Sequence, residues 1–313
     1  MLLSSERSPM NKTRYALAGF GLALAAIALA CGSSDRSDFI DADAGRGSGN
    51  DGGGLGQSFP DEVSDAGAGE DRAAPPPVPI VYAHSPGTLY KVDPVTKNVT
   101  VVAAFNGGCS SVIDLALDED SNAFVTTFEG LYRLDTGTAT CTLIARGSYP
   151  NSLSFVPKGT VDDTAEALVG YNGATYVRID TATGVVSTIG ALKGGYTSSG
   201  DIVSVTGGGT FLTVKGNVCN DCLIQVDPKT GDMIQNYGSV NHDAVYGLGF
   251  WAGTVFGFSE EGKVFSIEWA NNQLVTKDIA VANPPPALAF WGAGSTTAAP
   301  AMSEDGGGIP IIK

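Results

Sequence analysis

The sequence contains two histidines and five cysteines, which leaves narrow room for side-chain chemistry. His84 and His242 stand at no metal-ligand spacing, and no Gly-x-Ser-x-Gly turn presents a serine nucleophile. Asp118-Glu119-Asp120-Ser121-Asn122, with Glu129 eleven residues beyond Asp118, comes near the spacing of a calcium loop. Ala123 stands where such a loop needs glycine. Residues 123–129 also read as a strand, which at ~3.3 Å per residue carries Glu129 some ~20 Å away. What remains is a weaker calcium site of Asp118, Asp120 and Asn122, and no other cofactor is indicated. Cys219 and Cys222 (CNDC) open no helix and have no further Cys or His nearby. That argues against redox and zinc chemistry and for a small structural disulfide. Cys109 and Cys141 then pair by elimination, an even count suited to an oxidising compartment.

The elements that carry these residues repeat. LYKVD (89–93), LYRLD (131–135), YVRID (176–180), LIQVD (223–227) and VFSIE (264–268) end 42, 45, 47 and 41 residues apart. Each alternates apolar and polar residues as a half-buried strand does, and each runs into turn-forming residues such as PVTKN, TATGV or PKTGD. A strand lies just upstream of each motif, another just downstream, and a more apolar one before the upstream strand: IDLAL (113–117), SLSF (152–155), DIVSV (201–205) and YGLGF (246–250). The unit is therefore a four-stranded antiparallel meander of ~40–45 residues, the size of a propeller blade. The first unit lacks its apolar strand, and PALAF (286–290) supplies a spare at the far end. The fold expected is all-β: a five-bladed β-propeller over residues 79–291, closed by pairing of that C-terminal strand with the first blade. Closure removes the edge that would invite aggregation. The tail 292–313 reads as disordered. The chain resembles bacterial propeller-repeat proteins whose blades end in a Leu-Tyr-x-Ile/Val-Asp strand and a Thr-Gly turn, a resemblance that specifies fold and not activity.

With strands named a to d from the inside outward, the b–c and d–a loops share one face. That face collects His84, Glu129, Tyr171, Asn172 and Glu260 from b–c loops, and Tyr149, Asn151, His242 and Asp243 from d–a loops, with Asp201 opening an inner strand. Their convergence makes a candidate ligand site of His84, Glu129, Asn151, Tyr171, Asp201, His242, Asp243 and Glu260. Only Asp114 and Asp201 are carboxylates on inner strands, whereas five-bladed glycosidases, by resemblance, need several. Trp251 and Trp291 are expected to end two inner strands at equivalent positions and to pack between blades. The same topology sets Cys109 and Cys141 near opposite ends of blade two, in tension with the Cα separation of under ~7 Å that a disulfide needs, so either the strand ends lie elsewhere or one of the two is a free thiol.

The N-terminus reads as a targeting segment. From Met10, the expected true start, Lys12 and Arg14 precede an uncharged apolar run to Ala30, which at sixteen residues falls short of the ~20 of a membrane span. Ala28-Leu29-Ala30-Cys31-Gly32 resembles the bacterial lipobox, which implies lipidation of Cys31, anchoring in a membrane, and a place in the cell envelope on the outer membrane. Residues 31–78 are Gly, Asp, Ala and Ser with a Pro-rich end, a composition for a disordered tether. The net charge of −15 argues against nucleic acid as a partner. The reading is a monomeric, lipid-anchored propeller that binds an envelope protein, a glycan or a peptidoglycan-related ligand. A second reading is a periplasmic divalent-cation-dependent hydrolase or lactonase-like enzyme.

Overall fold

In the computed structural model the described residues are 80–312 apart from 217, 283 and 304–307. The signal segment, Cys31 and the tether lie outside them. The described residues form twenty strands and no helix, in five antiparallel four-stranded sheets. Blade one holds β1 (Val81–His84), β2 (Thr88–Val92) and β3 (Val99–Ala104), with β20 (Gly292–Ser295) as its inner strand. Blade two runs β4 (Val112–Leu117), β5 (Ala123–Thr127), β6 (Gly130–Asp135) and β7 (Thr140–Arg146) from the inside outward. Blade three holds β8 (Leu153–Val156), β9 (Ala167–Asn172), β10 (Thr175–Ile179) and β11 (Val186–Ala191). Blade four holds β12 (Thr197–Ser204), β13 (Thr210–Gly216), β14 (Cys219–Val226) and β15 (Met233–Ser239). Blade five holds β16 (Val245–Trp251), β17 (Thr254–Ser259), β18 (Val264–Ala270) and β19 (Gln273–Ile279). The inner strands adjoin one another in the ring β20, β4, β8, β12, β16 and back to β20. The fold is a five-bladed β-propeller.

Burial follows the distance from the axis. Every residue of β4 is buried, whereas β7 exposes Thr140, Thr142, Leu143 and Arg146. Inner strands such as β4, β8 and β20 are enclosed on both faces and buried throughout, while the outermost strands leave most positions exposed or half-buried. The apolar cores lie between successive blades: Leu89, Leu115 and Tyr132 join blades one and two, Phe124, Phe155 and Leu168 join two and three, and Tyr171, Leu212 and Ile224 join three and four.

The Asp that ends four of the five repeated motifs is a turn cap. Asp93 Oδ1 accepts the amides of Val95 and Thr96 at 2.8 and 2.9 Å, Asp135 and Asp180 do the same in their blades, and Asp227 Oδ1 accepts the amide of Lys229 at 2.8 Å. These are Asx turns, in which a carboxylate organises the next backbone amides. Blade five has Glu268 there and turns instead two residues later through Asn271-Asn272. Both have positive φ, 51° and 62°, as a two-residue hairpin of the primed type requires.

Closure by a C-terminal strand holds, but with a different segment from the one expected. β20 is Gly292–Ser295, paired antiparallel with β1 from Val81↔Ser295 to His84↔Gly292. The PALAF segment forms no strand; Ala287 has a φ of 55°, and Phe290 is a fully buried wedge between Tyr90 and Phe258, at 5.9 and 5.2 Å between ring centroids. The ring is tight at its axis. A Cβ on Gly292 would stand 2.3 Å from His84 Nε2 and 2.6 Å from Asp114 Oδ1, so the closing strand needs glycine, a residue that reads as a strand breaker. The tail is likewise corrected. Residues 292–295 belong to the sheet, and beyond them Thr297, Ala299 and Ile309 are buried.

Both disulfides form, Cys219–Cys222 with a Cα separation of 5.6 Å and Cys109–Cys141 with 5.9 Å. The expected distance between Cys109 and Cys141 ignored twist. At roughly 20–25° per strand pair, the outer strand of a blade turns almost across the inner one, so the start of β7 swings toward blade one. There Asn106 pairs with Thr140, Cys141 N–H donates to Asn106 O at 2.9 Å, and Cys109 follows within reach.

Candidate functional site

The inner strands bring five residues to one tier across the channel: Asp114, Ser152, Asp201, Gly247 and Gly292. Asp114 Oδ1 accepts the amide of Leu115 at 2.8 Å, and its Oδ2 accepts the amide of Leu153, in the next blade, at 2.7 Å. Asp201 repeats the pattern with Ile202 at 2.6 Å and Leu248 at 2.7 Å. Both aspartates are fully buried and lie in hydrogen-bonding reach of each other. Burial, and for Asp114 also the charge of Asp201, pushes the pair well above the usual carboxylate range. His84 reaches in from β1. Its Nδ1 is 3.0 Å from Ser85 O, which makes Nδ1 the protonated nitrogen and leaves Nε2 a buried lone pair without a partner among the described residues. Ser152 Oγ is also buried, with no partner among the described residues. Burial lowers the His84 pKa to about 4, so the ring is neutral at neutral pH.

One residue above this tier stand Ile113, Asn151, Gly200, Tyr246 and Trp291. All five line a cavity of about 520 Å³ on the face of the b–c and d–a loops. Its walls come from every blade. Phe128, Tyr149, Tyr246 and Trp291 are aromatic, and Ser148, Asn151, Asn172 and Ser199 offer amides and hydroxyls. Lys215 and Glu260 add one charge of each sign, and neither is in an ion pair among the described residues. Asp221 holds the wall from behind. It is buried, accepts the Ser199 hydroxyl at 2.5 Å, and takes the amides of Val245 and Ala244; burial raises its pKa. The opposite end of the channel is crossed by the chain after β20. Thr296 Oγ1 donates to Asp118 O at 2.7 Å, Thr297 Oγ1 to Glu166 Oε1 at 2.5 Å, and Thr206 N–H to Thr297 O at 2.8 Å.

Of the residues the sequence nominated, Asn151 and Glu260 line the cavity, as do Tyr149 and Asn172. Asp201 lies in the tier beneath it and His84 beside that tier, both fully buried and so below the binding surface. Tyr171 is fully buried and structural: its hydroxyl donates to Gly231 O at 2.7 Å and ties blade three to the turn of blade four. His242 lies outside the mouth, stacked 3.8 Å from Phe265 with Nε2 3.2 Å from Asp278 Oδ1. Asp243 is exposed and does not line the cavity, and Glu129 lines a separate small cavity of about 140 Å³. Trp291 is the counterpart of Tyr246 rather than of Trp251, which is buried in the core of blade five. Lys215, Phe128 and Ser199 were not singled out from the sequence. Their signal was only their place at strand ends on the correct face.

Asp118, Asp120 and Asn122 form the β4–β5 turn. Asp118 Oδ1 accepts the amides of Asp120 and Asn122 at 3.0 and 2.8 Å, and its Oδ2 accepts Asn122 Nδ2 at 2.9 Å, so this carboxylate is occupied as a cap. Among the described residues no three His, Cys, Asp or Glu side chains are grouped so that they could hold a metal ion.

No family model matches the chain, and no curated protein matches it. Among solved structures it is similar to a symmetrical protein from work on de novo evolutionary emergence, at 15% identity and a TM-score of 0.47, over 70% of this chain and 99% of that one. It is also similar to a chain of a nidogen/laminin complex, at 9% identity and a TM-score of 0.42, over 69% of this chain and 80% of that one. A third is the Dos1 propeller, at 12% identity and a TM-score of 0.36, over 67% and 69% of the two chains. These are similarities of chain path and carry no ligand or activity to this protein.

Proposed function

We propose that this protein is a binding module of the bacterial cell envelope, anchored through lipid on Cys31, that takes a saccharide end into the mouth of its channel. The reading is carried by the mouth itself: residues of all five blades surround about 520 Å³ with four aromatic rings beside two asparagine amides and two serine hydroxyls. Aromatic faces cover the apolar faces of a sugar ring while amides and hydroxyls meet its hydroxyl groups. Lys215 would take an acidic substituent, a feature of peptidoglycan-related glycans. The propeller fold suits a binding or scaffold role in general, and the acidic tether of residues 31–78 would hold the domain off the membrane as a monomer.

The binding arm is tested by calorimetric titration of the mature chain with neutral and acidic oligosaccharides, including peptidoglycan fragments. Saturable binding lost in Trp291→Ala supports the reading; failure of every saccharide to bind overturns it. The anchoring arm is tested by metabolic labelling with a fatty acid. Label in the wild type and none in Cys31→Ala is expected; label in neither would remove the anchor.

A further inference from the structure

The tier beneath the mouth holds two carboxyl groups that burial and, for Asp114, the charge of Asp201 push toward the protonated form. Asp114 and Asp201 are fully buried, lie within hydrogen-bonding reach, and take part in no ion pair among the described residues. Two carboxylates so placed hold one proton between them, because the second charge would meet both the first charge and a medium that does not solvate it. Four backbone amides, of Leu115, Leu153, Ile202 and Leu248, already point at their oxygens, at 2.6 to 2.8 Å. Those donors stabilise one negative charge on the pair, and a shared proton completes the set. The elements packed around the pair bring few titratable groups. His84 comes from β1, and its Nε2 and Asp114 Oδ1 both border Gly292 without a hydrogen bond to Nε2 among the described residues. At this tier the residue before β8 is Ser152, β16 and β20 offer Gly247 and Gly292, and the neighbouring β5 and β13 offer Thr126 and Thr213.

The aspartates also span the ring. Asp114 joins β4 to β8, and Asp201 joins β12 to β16, so contact between the two carboxyls draws blades two to five together at the axis. We infer that the floor of the channel is a one-proton latch: a proton held between Asp114 and Asp201 keeps the four blades closed beneath the mouth, and its loss as pH rises loosens them. His84 Nε2 and Ser152 Oγ flank the site as a buried acceptor and a buried hydroxyl, able to hold a water as the proton leaves to solvent and the pair parts. The mouth residues Ile113, Asn151, Gly200, Tyr246 and Trp291 sit one position above, so the shape of the mouth follows the latch.

The test uses the folded wild-type chain, labelled with 13C at aspartate carboxyls and with 15N at amides. One buried carboxyl carbon is expected to keep the shift of a protonated acid at pH 6, where an ordinary carboxyl has lost its proton, and to titrate with loss of a single proton as pH rises further. Across that step, exchange of the Leu153 and Leu248 amides should accelerate at least tenfold beyond its intrinsic pH dependence. The Asp114→Asn/Asp201→Asn variant assigns the signal by its disappearance, and the wild-type titration stands alone if that variant does not fold. Fully ionised carboxyls on both aspartates at pH 6 would overturn the latch, and so would amide exchange that is indifferent to the titration. No saccharide enters this readout, so failure of the binding proposal leaves it unaffected.

Discussion

Asp114 and Asp201 do the same work two blades apart: each accepts the amide of the next residue in its own strand and the amide of Leu153 or Leu248, respectively, in the following blade. Three of the five inner strands carry no carboxylate at this tier, so the two aspartates carry the polar cross-links there between adjoining inner strands that have no ladder hydrogen bonds to each other.

Removing one of them strips two buried amides of their acceptor. An unsatisfied buried donor costs roughly 1–3 kcal/mol. Asp201→Ala is therefore expected to lower the unfolding free energy by about 2–5 kcal/mol in denaturant titration, with Asp114→Ala similar. An effect below about 0.5 kcal/mol would mean that water satisfies these amides and that the cross-links are incidental.

His84 sets an acid-side dependence. Its folded pKa, about 4, lies below the ordinary 6.5. The unfolded chain therefore binds more protons on this ring between those values, and stability falls as pH drops from about 6.5 toward 4. Chemical denaturation at pH 7 and pH 4.5 should show the wild type losing about 2 kcal/mol more than His84→Gln. Parallel losses in the two proteins would show that the ring is solvated.

The two disulfides should differ in worth because they close loops of different length. Cys109–Cys141 spans 32 residues and Cys219–Cys222 spans three. Chain entropy gives about 3–4 kcal/mol for the first and about 2 kcal/mol for the second. Comparison of the two double-alanine variants by thermal unfolding should rank them in that order; the reverse ranking would point to strain or to residual structure in the unfolded chain.

At the mouth, Trp291→Ala and Asn151→Ala should each weaken saccharide binding at least tenfold, about 1.4 kcal/mol. His242→Ala, on the same face but outside the cavity, should change it less than twofold. Equal losses for all three in the titration would place the ligand on the loop surface rather than in the channel.

The repeat was legible because each blade restates one local rule. Alternation in LYKVD and its four relatives marks a half-buried strand, and the Asp after it caps the turn through contacts two and three residues away. The face of the site was legible too, since a meander fixes which loops share a side. By that rule Asn151 and Glu260 fall on the face where the cavity opens, and both line it. The rule failed for His84 and Tyr171, because loop position says on which side of the ring a residue lies but not whether its side chain turns outward or into the packing.

The order of strands along the chain was settled by hydrophobic alternation and turn chemistry, which act over a few residues and so are written in the sequence. The contact of Asp114 with Asp201, the closing role of Gly292–Ser295 and the bond between Cys109 and Cys141 were decided by tertiary structure. Each depends on how closely five strands approach one axis and how far each blade twists. Those are properties of the whole ring, reached only when residues up to about two hundred positions apart are brought together.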